Sequence, residues 1–145
     1  MEKRLIGNVK PKKGVDYLTE QDMIELDARY AKSAVQANIP SNSSVTFVFD
    51  ASVHTALVAC RAEEPDTYAL LAYSGYGTGG IHSNVDKICG KSSSIAYGIR
   101  PESTDNTHGF TLWNHGSTDI VCTVFYLMGN IPSVLPGDGG ATEIS

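Results

Sequence analysis

The sequence predicts a mainly β fold, with one N-terminal helix and an extended basic arm ahead of an antiparallel β-sandwich or jelly-roll-like head. Three observations carry this expectation. Short runs rich in β-branched and aromatic residues recur from position 45 onward, polar breaks of Asp, Pro and Gly divide them, and a single stretch of helical periodicity precedes them. Residues 45–49, 53–60, 67–73, 94–99, 109–113 and 120–128 supply at least six strands within about ninety residues, the spacing expected of a sandwich.

Four segments follow from the same reading. Residues 1–18 form an arm with clustered positive charge at Lys3, Arg4, Lys10, Lys12 and Lys13. Residues 19–39 form a helix, 40–130 the β head and 131–145 an extended Pro/Gly-rich tail. Thr19 is suited to cap the helix, with Glu20 and Asp22 in its first turn facing the positive end of the helix dipole. Ile24, Ala28, Ala31 and Val35 recur at spacings of four and three, beside a second stripe of Met23, Leu26, Tyr30 and Ala37, until Pro40 stops the segment. A helix of this length is marginal in water by itself, and the small residues at Ala28 and Ala31 permit close approach of an identical helix. The stripes must therefore pack either on the chain's own β domain or on the same helix of neighbouring chains, and the small residues favour self-association.

The phrase Gly14-Val15-Asp16-Tyr17 with Thr19 and the acidic run after it, followed by Leu26-Asp27-Ala28-Arg29-Tyr30-Ala31, resembles the junction segments of bacteriophage fibre and other virion appendage proteins. The resemblance implies a non-enzymatic structural protein of the virion, a capsid (head) fibre, decoration or tail-fibre component. It implies a homotrimer that docks on capsid or tail proteins of the same particle through its arm, Tyr17 included, and displays the β head outward. No signal peptide is visible after Met1, since the apolar pair Leu5-Ile6 ends at Gly7-Asn8, so the expected route is assembly in the cytoplasm of the host bacterium.

Within the head, residues 110–114 and 120–127 read as a hairpin turning at residues 114–117. The second arm of that hairpin is apolar on both alternating faces, which predicts either a central strand or one covered by another subunit. Prolines and glycines leave the tail unfit for a helix or a central strand, while Ile131, Val134, Leu135 and Ile144 would let it lie in a groove of a neighbour.

Composition narrows the functions. Of 145 residues, 41% are hydrophobic and 19% charged, too apolar for a disordered chain, and no apolar run approaches the ~20 residues of a membrane helix. A net charge of -5 gives no general affinity for nucleic acid. Cys60, Cys89 and Cys122 lack any C-x-x-C spacing, and Cys60 and Cys122 fall in apolar runs as small buried hydrophobes. His54, His82, His108 and His115 sit at no metal-ligand spacing, so neither metal nor cofactor is expected. The Gly-rich residues 75–80 lack the Gly-Lys-Ser/Thr ending of a phosphate loop and the helix that a dinucleotide fingerprint requires. No G-x-S-x-G elbow occurs, and Glu63, Glu64 and Asp66 around Pro65 read as a solvated turn. A second class of function stays open: a carbohydrate-binding sandwich for host surface glycan, with Tyr73, Tyr76, Tyr97 and Trp113 as aromatic contacts.

Overall fold

The structure, a computed structural model, describes residues 20–21, 34–62, 67–91, 94–102 and 105–144. The chain divides into two compact units, residues 1–32 and 33–145. In the first, Glu20 and Gln21 are described and are helical. The arm residues Lys3, Arg4, Lys10, Lys12, Lys13 and Tyr17 and the stripe residues Met23, Ile24, Leu26, Ala28, Tyr30 and Ala31 lie outside the described residues.

The second unit is built of antiparallel strands: β1 (Ala34–Ile39), β2 (Ser43–Phe49), β3 (His54–Ala62), β4 (Tyr68–Gly75), β5 (Asn84–Lys91), β6 (Ile95–Ile99), β7 (His108–Asn114), β8 (Ile120–Met128) and β9 (Ser133–Pro136). A 3₁₀ turn at Gly79–His82 precedes β5. One sheet has five strands in the order β1-β8-β3-β4-β5, and the other has four in the order β6-β7-β2-β9.

The expected helix is corrected at its C-terminal end, because residues 34–39 form a strand. Val35, assigned to the oligomerising stripe, and Ala37 point with Ile39 toward the core, while Gln36 and Asn38 face outward. A period of two thus wins over the helical period here. The eighth strand supplies a full ladder, pairing Ala34 with Phe125 through to Ile39 with Ile120, and a β-branched side chain at Val35 suits that ladder better than a helix end.

The expected hairpin of residues 110–127 is also corrected: β7 belongs to the four-stranded sheet and β8 to the five-stranded one. The connection is a corner between sheets, held by one side chain. Asn114, 1% exposed, donates from its amide nitrogen to the carbonyls of Ile39 (2.9 Å) and Thr118 (2.8 Å), and its amide oxygen accepts from the Gly116 N–H (2.9 Å). Three backbone groups at the turn are thereby satisfied without any β7–β8 ladder. The eighth strand is central, as its composition predicts, between β1 and β3.

Between the sheets, Phe47, Phe49, Val58, Leu71, Phe110 and Leu112 are fully buried. Phe47 stacks on Phe110 with centroids 5.1 Å apart, and such ring pairs add about 0.5–1.5 kcal/mol beyond area burial. Cys60 and Cys122 face each other across β3 and β8, both buried as expected. The neighbouring Cys60 thiol, and then burial, push the Cys122 thiol well above its ordinary range.

The tail packs on its own chain. As β9 it pairs with the edge of β2, where Pro136 opposite Val45 ends the ladder. Beyond it, the Thr46 hydroxyl meets the Gly137 carbonyl at 2.6 Å, the Thr111 hydroxyl meets the Asp138 carbonyl at 3.0 Å, and the Ile144 N–H donates to the Tyr97 carbonyl at 2.6 Å. Residues 137–144 therefore strap the outer face of the four-stranded sheet.

Candidate functional site

Two places in the second unit concentrate unusual chemistry. The first is a buried polar cluster made by the ends of four elements and the 50–52 turn. His54 opens β3, Tyr73 lies near the end of β4, Ser83 precedes β5 and His108 opens β7; His54 and His108 are 0% exposed and Tyr73 is 1% exposed. The Asn130 N–H donates to His54 Nε2 (3.1 Å), which leaves the ring proton on Nδ1, 2.8 Å from the Ser52 carbonyl. His108 Nε2 lies 3.0 Å from the same carbonyl and 3.2 Å from His54 Nδ1. With both imidazoles donating to Ser52, the Tyr73 hydroxyl donates to His108 Nδ1 at 2.6 Å. Ser83 Oγ, 3.4 Å from the phenol oxygen, donates to the Gly79 carbonyl at 2.8 Å. Every polar atom of the two rings thus has a partner in the neutral state.

The electrostatics follow from burial. Loss of solvent pushes His108 below its ordinary range, opposed by the Ser52 carbonyl, and pushes the Tyr73 phenol up to about 12. Asp50, at the exposed rim, is lowered to about 2, chiefly by the hydrogen bond from the Ser52 hydroxyl and then by that from Asn130. Proton transfer to a substrate needs a ring nitrogen within reach of it, and in this cluster the nitrogens are spent on internal partners. A network of this kind rigidifies one end of a sandwich.

The second place is the outer face of the five-stranded sheet. In a sheet with one solvated face the outward positions are ordinarily polar. Here the three inner strands β8, β3 and β4 turn Val121, Phe125, Leu127, Leu57 and Leu70 outward, with Val121 and Phe125 each 43% and Leu127 65% exposed. The flanking strands are polar on the same face: Gln36 and Asn38 on β1, Asn84, Asp86 and Lys91 on β5. Near one end of the band lies a shallow depression of about 640 Å³ lined by Arg61, Tyr68, Leu70, Cys89, Val121 and Thr123. An apolar centre inside a polar rim is the anatomy of a protein contact surface. The second face of β8 marked part of this surface in the sequence, and β5 did not, because β5 lacks the alternation of a half-buried strand; Ile88 sits at a register shift opposite Leu70 and Leu71.

The four aromatic residues considered for glycan binding are not brought together. Tyr73 is in the core on His108, and so offers no face to a ligand. Tyr97 is half-buried against the core, and Trp113 is half-buried on the opposite side of its sheet, close to Gly98 and the strap. Tyr76 is 47% exposed and stacks on His82, with ring centroids 4.4 Å apart and planes 7° from parallel. His108 and His115, which a hairpin would have allowed to face each other, instead lie at and beyond opposite ends of β7, and His115 meets Glu143 of the tail at 2.8 Å.

Among the described residues no three metal-ligating side chains gather, and no helix is long and apolar enough to cross a membrane. Comparison with models of protein families, with curated proteins and with solved structures finds no match.

Proposed function

We propose that this chain is a non-enzymatic structural protein of a bacteriophage particle, a capsid fibre, decoration or tail-fibre component that works as a homotrimer. Its N-terminal arm docks on capsid or tail proteins of the particle, and its β-sandwich is displayed. The phrase at residues 14–31 favours this class. The observation that carries it is the apolar outer face of the five-stranded sheet, since a free monomer gains nothing from Val121, Phe125 and Leu127 in water. The buried cluster supports a structural role, because its histidines are consumed in holding one end of the sandwich. A carbohydrate-binding module is the second reading, and the exposed Tyr76–His82 stack is the feature that favours it.

Light scattering on the purified full chain at micromolar concentration tests the proposal, with three times the chain mass expected and a clean monomer against it. Within particles, deletion of residues 1–13 is expected to abolish incorporation while near-UV dichroism of Trp113 stays unchanged. Salt should weaken docking through Lys3, Arg4, Lys10, Lys12 and Lys13, whose reach falls to ~8 Å at physiological ionic strength.

A further inference from the structure

We infer that the outer face of the five-stranded sheet is where copies of this chain pack on one another. The inference rests on the oligomeric reading above and adds the surface, the occupant and the residues.

The occupant follows from the character and extent of the face. Its central band on β8, β3 and β4 carries no acidic side chain and one basic side chain, Arg61, so it selects neither a basic partner nor a nucleic acid. Arg61 stands at the end of the band, beside Tyr68 and Lys91 in the register. A nearly uncharged apolar surface is matched by another surface of the same kind, and the one such surface that is always present at equal concentration is the face of an identical chain. The size fits as well. Five strands at ~4.8 Å spacing and about eight residues at ~3.3 Å rise give roughly 600 Å² of sheet per copy, close to the ~800 Å² per partner of a stable specific interface.

Three such faces turned toward a common axis bury the apolar bands of β8, β3 and β4 together. Each copy's β1 rim then lies beside a neighbour's β5 rim, which sets the amides of Gln36 and Asn38 against Asn84, Asp86 and Lys91. Phe125 sits on β8, between β1 and β3, opposite Leu57 on one side and Ala34 on the other, and Leu127 extends the same row. Cys89, on the outward side opposite Leu70, is the one exposed cysteine of the three.

Two substitutions and one label test this in the full chain. Phe125→Glu and Leu127→Asp each place a carboxylate in the band without touching the inward-facing core, and both are expected to convert the oligomer to monomer. Leu127 is exposed enough for its variant to fold whatever becomes of Phe125→Glu. Alkylation with iodoacetamide supplies the second readout: Cys89 should react at least tenfold faster in the variants than in the parent, while Cys60 and Cys122 stay unlabelled and report an intact fold. An oligomer whose mass and Cys89 reactivity are unchanged in both variants would overturn the inference, assign the face to another occupant and leave the oligomeric reading standing. A monomeric parent chain would overturn both.

Discussion

Lowering the pH below 6.5 should weaken the fold through His108. The imidazole is fully buried, donates to the Ser52 carbonyl and accepts from Tyr73, an arrangement that uses both nitrogens of the neutral ring. Burial holds its pKa below the ordinary 6.5. The unfolded chain therefore takes up a proton that the folded chain refuses, and stability present above pH 6.5 is lost as the pH falls from there toward the folded value. The limiting slope is about 1.4 kcal/mol per pH unit for one such group, a factor of ten in the folded-to-unfolded ratio. Asp50 contributes in a separate window. Its carboxylate is stabilised in the fold, so its contribution is present above 3.8 and disappears only as the pH approaches about 2. Urea unfolding followed by Trp113 fluorescence at half-unit steps from pH 7.5 to 5 measures the first window alone. The parent should lose stability steadily below pH 6.5, and His108→Gln, which retains a donor and an acceptor at neutral charge, should lose up to about one proton's worth of that slope. A parent profile that is flat to pH 5, or a His108→Gln profile parallel to the parent's, would refute the argument.

Two further substitutions probe the strap and the corner of the cluster. Gly98→Ala would set a methyl group against the Thr142 carbonyl where the tail crosses β6. It is expected to cost about 1–3 kcal/mol and to make residues 137–144 markedly more sensitive to carboxypeptidase, with the core unfolding still cooperative. Gly129→Ala is predicted to be harsher, because the residue has φ +100 and its new methyl group would meet the His54 ring. Backbone strain and displacement of the ring together should lower stability by roughly 3 kcal/mol or more, read as a fall in the urea midpoint with an unchanged slope.

Strands that bury one face and repeat with period two were legible in the sequence: residues 45–49, 53–60, 67–73, 94–99, 109–113 and 120–128 fall on β2, β3, β4, β6, β7 and β8 within a residue or two at most ends. Strands defined by their partners were not. Residues 34–39 continue a helical spacing, and what makes them a strand is the ladder offered by β8, some eighty residues later. The fifth strand runs polar because it is an edge, and β9 hides behind prolines that an edge tolerates. The candidate surface was legible only in part. Its apolar band needs residues of β3, β4 and β8 side by side; the two apolar faces of β8 pointed to a second cover, while the runs of β3 and β4 alone read as ordinary buried strands. Tyr73 looked like a ligand contact because composition gives an aromatic ring no direction, while the register that pairs it with Ala56 turns it inward.

The pairing of β1 with β8, and of β2 with β7 and β9, has a consequence for how the protein comes into being. Residues 40–119 separate the first strand from its partner, and at ~5–20 residues per second a ribosome needs roughly 4–16 s to deliver them. Throughout that interval β1 lacks its ladder, and β2 lacks its own until β7 is made at residues 108–114, while the sequential meander β3-β4-β5 can already close on itself. Because β8 supplies Val121, Phe125 and Leu127, that face is incomplete on a nascent chain. If copies join through that face, those growing side by side on one messenger cannot do so until each has been nearly completed.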